Sequence, residues 1–465
     1  MPSPSQESED SATAEPSSGA SRRPVPGVVP WAYDGLHPTE AVFTPRQARG
    51  MRMFWWDGFF AWGSEAILVQ YLALYAVAFG ATAAQIGVLS SMVALAGASA
   101  FLPGARLAER WGHRKLIVVL SAGLGARPAL LALAVLPFFF EGRQVIFIIA
   151  GLAALRYFMG GVGIPAWTSL TADLVPTAIR GRFLASRSVG MGVAALMAVP
   201  LAGGIINWAG FPHGWEMAWL LAFLLGQAST LAYARIPEPR PAPAAAVKSE
   251  GPGRLLDDTN FLFFCGTALI WNLTLYAASP FFNVYLVENL GGSALWVGGL
   301  VAVAGMLELA GLSYFGPIID RRGAKLVMVI GGLTIPFLPW AWILVQAPWQ
   351  IIPINVAGGF LWAAYNLGSL NLLLAMSPDQ KRPTYAAAYQ SAVYLSAFAG
   401  PLMGGFLAQA FGYRLLFGVS GAGRLLSTLL FVRFVQEIRP RPSPQPAPAE
   451  QPLDTRRQGI LQEVA

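Results

Sequence analysis

The sequence predicts an all-α membrane protein, with twelve transmembrane helices in two pseudo-symmetric six-helix bundles. Three observations predict it. Of 465 residues only 12% are charged and 55% are hydrophobic, with a mean hydropathy of +0.53, whereas a water-soluble domain carries roughly 25% charged residues. The missing charge is concentrated in gaps: no Asp, Glu, Lys or Arg occurs from Ala66 to Ala105, from Leu326 to Pro378, or from Pro383 to Tyr413. About 20 apolar residues cross a bilayer, so each gap holds one or two spans. The third observation is a set of short motifs that recur in one order in both halves of the chain.

Residues 1–50 are rich in Ser, Pro, Ala and Glu and hold no apolar core, so a disordered cytoplasmic tail without a secretory signal is expected. Glycine, proline and clustered charge then cut the chain into spans at 53–78, 84–104, 113–137, 144–171, 183–207 and 214–235, which form a first bundle over 51–236. The run PEPRPAPAAAVKSEGPG opens a polar linker over 237–257. Six further spans follow at 258–288, 294–317, 324–346, 349–376, 384–411 and 414–435, a second bundle over 258–438. The Pro-rich segment 439–465 is expected to be a second disordered cytoplasmic tail.

Lys and Arg orient the spans. One set of loops carries Arg106, Arg110, Arg114, Lys115, Arg180, Arg182, Arg235, Arg240, Lys248, Arg254, Arg321, Arg322, Lys325, Lys381 and Arg382, and the alternate set only Arg143 and Arg414. The basic loops and both termini are therefore expected on the cytoplasmic side of a plasma membrane, in agreement with an even number of spans. The same distribution explains the net charge of +7 without nucleic acid as a partner.

Several functional classes are excluded. The single Cys265 rules out an intramolecular disulfide and a thiolate metal cluster. His37, His113 and His213 lack metal-ligand spacing, so neither a metal nor another cofactor is expected. Gly160, Gly161 and Gly163 follow no strand and sit in an apolar run, which suits close helix approach rather than phosphate binding. The Asn272-Leu273-Thr274 triplet lies inside a span and is uninformative as a glycosylation signal. No catalytic constellation appears, so an enzyme is not expected.

The internal repeat is specific. Glu109-Arg110-Trp111-Gly112-His113-Arg114 follows span two, and Asp320-Arg321-Arg322-Gly323-Ala324-Lys325 follows span eight. The same offset relates Gly87 to Gly298 and Pro128 to Pro339. Val199-Pro200-Leu201-Ala202-Gly203-Gly204 in span five echoes Gly400-Pro401-Leu402-Met403-Gly404-Gly405 in span eleven, and Pro176 before Arg180 echoes Pro378 before Arg382. Matches in one order indicate two structurally equivalent halves.

With these motifs the chain resembles the major facilitator superfamily, whose loop between spans two and three reads Gly-x-x-x-Asp-Arg-x-Gly-x-Arg/Lys. The second copy fits fully, with Gly316, Asp320, Arg321, Gly323 and Lys325. The first departs from it, with Glu109 as the acid and Gly104 one position early, while Arg110, Gly112 and Arg114 fit. The resemblance covers roughly residues 50 to 438. Physically, glycine allows a tight turn between helices, and an acid beside a helix N-terminus is stabilised by exposed amides and the dipole. The resemblance implies that these acids clamp the cytoplasmic ends of the halves. Glu109 would then face the start of span eleven near Thr384, and Asp320 the start of span five near Phe183, with Arg110 and Asp173 as a further pair. The plainer alternative is that the charges anchor helices and enforce topology.

Charges in hydrocarbon are costly and suggest pairing or a water-filled cavity. Glu65, Arg127, Arg156, Glu308 and Arg424 fall near the centres of their spans. The resemblance implies that spans one, four, seven and ten line a central cavity, which favours Glu65 and Arg156 as a cavity ion pair. It places Arg127 and Arg424 on peripheral spans, where they would brace helices or snorkel. Glu308 is read either as a proton site or as an interhelical hydrogen-bonding group. Asn272, Tyr276, Ser279 and Asn283 share one face of span seven, and Asn355, Gly359, Trp362, Asn366 and Ser369 one face of span ten. Substrate lining and helix packing both suit such amides. Phe54, Trp55, Trp56, Phe59 and Phe60 read as an interfacial belt with Asp57 as an interfacial charge.

The resemblance implies alternating access by a monomer in the bilayer, moving a small-molecule solute of unknown class. Without a nucleotide motif the energy must come from gradients, and Glu65 and Glu308 are the candidate proton carriers. In the family a Gly-Pro-x-x-Gly-Gly ending of span five accompanies proton-driven efflux. Here Val199 replaces its first glycine, and the complete form stands only in span eleven. Efflux, proton symport, facilitated uptake and a transport-dead sensor on the same fold all stay open at this point.

Overall fold

The computed structural model describes residues 44–238, 257–378 and 381–436. Among them, twelve helices are long and apolar enough to cross a membrane: α1 (Pro45–Ala78), α2 (Ala83–Trp111), α3 (Arg114–Phe138), α4 (Val145–Leu174), α5 (Thr177–Ala209), α6 (His213–Ala234), α7 (Thr259–Glu288), α8 (Ala294–Arg322), α9 (Ala324–Leu344), α10 (Pro348–Met376), α11 (Arg382–Phe411) and α12 (Tyr413–Phe434). Each corresponds to one expected span. The largest differences are at basic ends, where α1, α2, α5 and α8 run past the apolar stretch. Charged and polar residues can extend a helix into the headgroup region without the apolar signal that marks a span.

Local chemistry sets the boundaries. Thr44 caps α1 by accepting from the amide of Gln47, Gln47 returns a bond to the Thr44 amide, and Pro45 occupies the first turn. The expected tail over 1–50 is therefore helical from Pro45 onward; its remainder, most of the linker and the tail over 439–465 lie outside the described residues. Thr82 and Gln85 form the same reciprocal cap on α2. Gly112 and Gly323 end α2 and α8 at φ values of 66° and 92°, which a side chain would oppose. Pro128 cannot donate to the preceding turn, and α3 widens into a π-helical turn over Val119–Ala126 just before it. The equivalent Pro339 lies just past the break that divides α9 between Thr334 and Phe337.

The packing repeats itself. α1 lies against α5 and α6, and α2 against α4; α7 lies against α11 and α12, and α8 against α10. The halves meet through α2 on α11 and α5 on α8. Advancing every helix by six positions reproduces this pattern. Large apolar side chains point outward, among them Phe147 at 70% exposure, Met197 at 63% and Phe406 at 61%, as a lipid solvent requires.

The hydrophobic cores show which end is closed. At the end away from the basic loops, one continuous core joins both halves and includes Tyr71, Ala76, Val199 and Ala202 with Phe281, Leu286, Val297 and Leu300. Toward the basic loops the cores separate, one around Phe54, Leu170 and Phe183 and another around Phe264, Leu372 and Phe431.

Candidate functional site

Between the halves lies a cavity of about 850 Å³. From the first half, α1 contributes Trp62 and Gln70, and α5 contributes Ser188, Met191 and Leu196. From the second come Tyr276, Ser279 and Asn283 of α7, Glu308 of α8, Trp342 of α9, Asn355, Trp362 and Asn366 of α10, and Arg424 of α12. At its far end the Asn283 amide donates to Gln70 Oε1 at 3.0 Å. Beyond that point Tyr71 Oη donates to the carbonyl oxygens of Val199, at 2.9 Å, and Ala294, at 3.0 Å, and so ties α1 to both α5 and α8. The closure itself is backbone on backbone. A Cβ on Gly298 would stand 2.6 Å from Pro200 Cα, and one on Gly87 would stand 3.0 Å from Gly405 Cα.

The expected cavity faces are largely in place, with exceptions. Tyr276, Ser279, Asn283, Asn355, Gly359, Trp362, Asn366 and Glu308 border the cavity. Asn272 does not: its amide donates to the Ala268 carbonyl of its own helix at 2.8 Å. Ser369 instead shares a hydrogen bond with Tyr389 at 3.0 Å. Both sit too deep in the second bundle to reach the inter-half space. The Asn366 amide faces the Glu308 carboxylate.

Glu65 and Arg156 form an ion pair, Nη2 to Oε2 at 2.7 Å, and Tyr157 Oη donates to the other Glu65 oxygen at 2.7 Å. They do not line the cavity, contrary to the expectation, because the pair is spent within the first bundle between α1 and α4. Arg127 acts as a brace, donating to Ser229 Oγ at 2.8 Å and to Thr230 on α6.

Asp57 is not an interfacial charge. It is 6% exposed, and its carboxylate accepts from Arg187 Nη2 at 3.2 Å and from Ser229 Oγ at 2.6 Å. The Arg187 guanidinium lies 4.4 Å from the Phe54 ring centre and 5.3 Å from that of Trp167. Sequence reasoning passed over Arg187, which lies only four positions inside the estimated fifth span and so falls outside a rule that selects charges near span centres. Arg424 neither snorkels nor sits at the lipid surface. It is 2% exposed at mid-helix and borders the cavity.

The loop motifs are arranged differently from the expected clamp. Glu109 and Asp320 are exposed and make no ion pair with a described residue. They do not meet Thr384 or Phe183, since the basic ends of the halves stand apart; Phe183 is instead buried against Phe54. Asp173 pairs with Arg114 at 2.6 Å rather than with Arg110, which is exposed. Arg114, at the start of α3, is buried beside α4, whereas Arg110 points away from it. Arg114 also donates to Ser169 at 2.8 Å. The repeat equivalent of Arg114, Lys325, donates to the Val435 carbonyl at 2.6 Å. Gly104 meets the α4 backbone at Val162, Gly316 has open space around it, and Arg321 is exposed.

A family model described as Major Facilitator Superfamily matches residues 55–373 and 264–463. Multidrug resistance protein MdtG of Salmonella paratyphi C is 25% identical over 394 residues, 82% of this chain and 94% of that protein. The cis,cis-muconate transport protein of Acinetobacter baylyi is 24% identical over 402 residues, 81% of this chain and 91% of that protein. With MdtG of Dickeya zeae the identity is 28% over 164 residues, 34% of this chain, so the match spans only 40% of that relative's length. Among solved structures, a bacterial homolog of the human lysosomal transporter Spinster superimposes with a TM-score of 0.65 at 16% identity, covering 86% of this chain and 100% of that one.

Proposed function

This chain belongs to the major facilitator superfamily and transports small solutes across a membrane, and we propose that it expels an amphiphilic solute in exchange for protons by alternating access. The observation that carries the reading is the cavity between the halves. Its walls are aromatic and amide-bearing, and Glu308 is the one carboxylate on them among the described residues. Aromatic and apolar walls suit an amphiphilic solute, and the amides supply orientation. A carboxylate open to such a cavity can trade a proton for a solute group, since its charge is costly there unless balanced. With the basic loops on the cytoplasmic side, the cavity loads from the cytoplasm. Export follows the relatives named as multidrug resistance proteins. Glu65, already balanced by Arg156, holds α1 to α4 and is secondary in this scheme.

The test uses purified protein in proteoliposomes with a trapped pH-sensitive dye and an imposed pH gradient. A panel of aromatic solutes of either charge is added in turn. A transported solute should collapse the gradient in the wild type and at less than a tenth of that rate in Glu308→Gln, with residual, weakened binding showing that the variant is folded. Solute flux that is unchanged when the gradient is dissipated would remove proton exchange from the reading.

A further inference from the structure

Four arginines lie within the membrane-spanning part of the first half or at its edge in direct or relayed contact with an acid. Arg156 pairs with Glu65, Arg187 with Asp57, and Arg114 with Asp173, and Arg127 reaches Asp57 through Ser229. Arg424 differs. Its described bond is from Nη2 to Ser420 Oγ at 2.9 Å, and that hydroxyl is itself committed to the Thr274 carbonyl at 2.7 Å. Its Nε, like that of Arg156, is buried without a partner, but Arg156 has the Glu65 carboxylate on its other nitrogen. No carboxylate among the described residues pairs with it, although it lies 2% exposed at the middle of α12. A buried guanidinium without a counter-charge is unfavourable, and its planar fork of donors matches an oxyanion in two-point fashion. The cavity it borders supplies the route by which such a group could arrive.

Glu308 stands on the same cavity, on α8, and makes no ion pair with Arg424. One wall thus carries an unpaired negative group and another an unpaired positive one. We propose that the two charges receive opposite ends of the transported solute, so that the solute is a zwitterionic amphiphile whose carboxylate or phosphate rests on Arg424. This rests on the proton-exchange reading above. If a proton replaces the solute at Glu308, the solute must bring a positive charge to that carboxylate, and Arg424 then requires an anionic group on the same molecule. An anion alone would leave Glu308 unbalanced, and a cation alone would leave Arg424 so.

The experiment measures binding of a probe series to the purified full-length protein by calorimetry. The probes are 6-(aminoalkyl)-2-naphthoic acids with one to four methylenes and the corresponding phosphonates. Each is compared with its acid-capped form (the carboxamide of a naphthoic acid, the dimethyl ester of a phosphonate), which is a cation, and with its N-acetyl form, which is an anion. At the best length, the zwitterion should bind at least tenfold tighter than either capped form. Arg424→Gln should erase the preference for acid over amide, Arg424→Lys should retain part of it, and Glu308→Gln should erase the preference for the free amine. If no acid in the series exceeds its amide in the wild type, or the preference survives in Arg424→Gln, the assignment of Arg424 is overturned. N-acetyl forms that bind as tightly as the free amines would overturn the zwitterion. The wild-type comparisons decide the zwitterion by themselves, and Arg424→Lys, which keeps the charge, tests the assignment of Arg424 if Arg424→Gln fails to fold. Failure of proton exchange would show separately, as gradient-independent flux of a probe that still binds through Arg424.

Discussion

Asp57 and Arg187 bring opposite charges into the interior of the first bundle, 3.2 Å apart. Neither group can stay ionised there alone without a large desolvation cost, and Ser229 extends the pair to Arg127. Removing one partner of a buried pair typically costs about 3–5 kcal/mol, while replacing both by apolar groups costs far less. Asp57→Ala should therefore destabilise the protein by about 3–5 kcal/mol, and Asp57→Ala combined with Arg187→Leu should recover most of the loss. Reversible unfolding in mixed detergent micelles measures both, and additive losses would show that the two charges are not coupled. The sequence marked Asp57 as interfacial because an aromatic run surrounds it. What it could not display is the partner, 130 residues away. The Glu65–Arg156 pair was legible because both residues sit in mid-span on helices that the family resemblance assigns to the central cavity, although the pair itself stands off the cavity wall. For Arg424 the rank of its helix was a poor guide to position: the snorkelling alternative fails because the residue is 2% exposed at mid-helix and borders the cavity.

Helices carry the closure of the far end through residues that lack side chains. Gly87 and Gly298 are repeat equivalents, and each meets the Pro-x-x-Gly-Gly segment of the opposite half: Gly87 against Pro401 and Gly405 of α11, Gly298 against Pro200 of α5. The motifs that looked like two parallel echoes in the sequence are thus two copies of one contact. Helix existence and the repeat were legible from apolar runs and glycine spacing; which motif touches which was not, because a repeat shows equivalence rather than contact. Gly298→Val should force α8 away from α5 and open the far end. In a Cys265→Ser background, Ser279→Cys in the cavity should then react several-fold faster with a membrane-impermeant thiol reagent applied from that side. Gly299→Val is the control, since a side chain there meets nothing within 4 Å. Equal acceleration by both variants would mean that helix propensity, not the close contact, governs the change.

At the scale of the whole molecule, one core joins the halves at the far end, whereas toward the basic loops each half has cores of its own. A pseudo-two-fold arrangement can exchange these conditions by rocking one bundle against the other, breaking the far-end contact as the basic ends meet. Glu109 and Asp320, exposed in the state described, would approach the helix starts of α11 and α5 if the basic ends closed, which is the clamp the family resemblance implies. If the halves rock in this way, opening of the far end and closure of the basic ends should be coupled. Glu109→Cys paired with Thr384→Cys, again without Cys265, should cross-link poorly through a short bismaleimide in the wild-type background. Adding Gly298→Val, which holds the far end open, should raise the yield several-fold, and Gly299→Val should not. If the yield ignores the state of the far end, the halves do not rock as rigid units. Labelling of Arg110→Cys and Arg321→Cys from opposite faces of the bilayer would go further and dismantle the pseudo-symmetric topology on which the exchange depends.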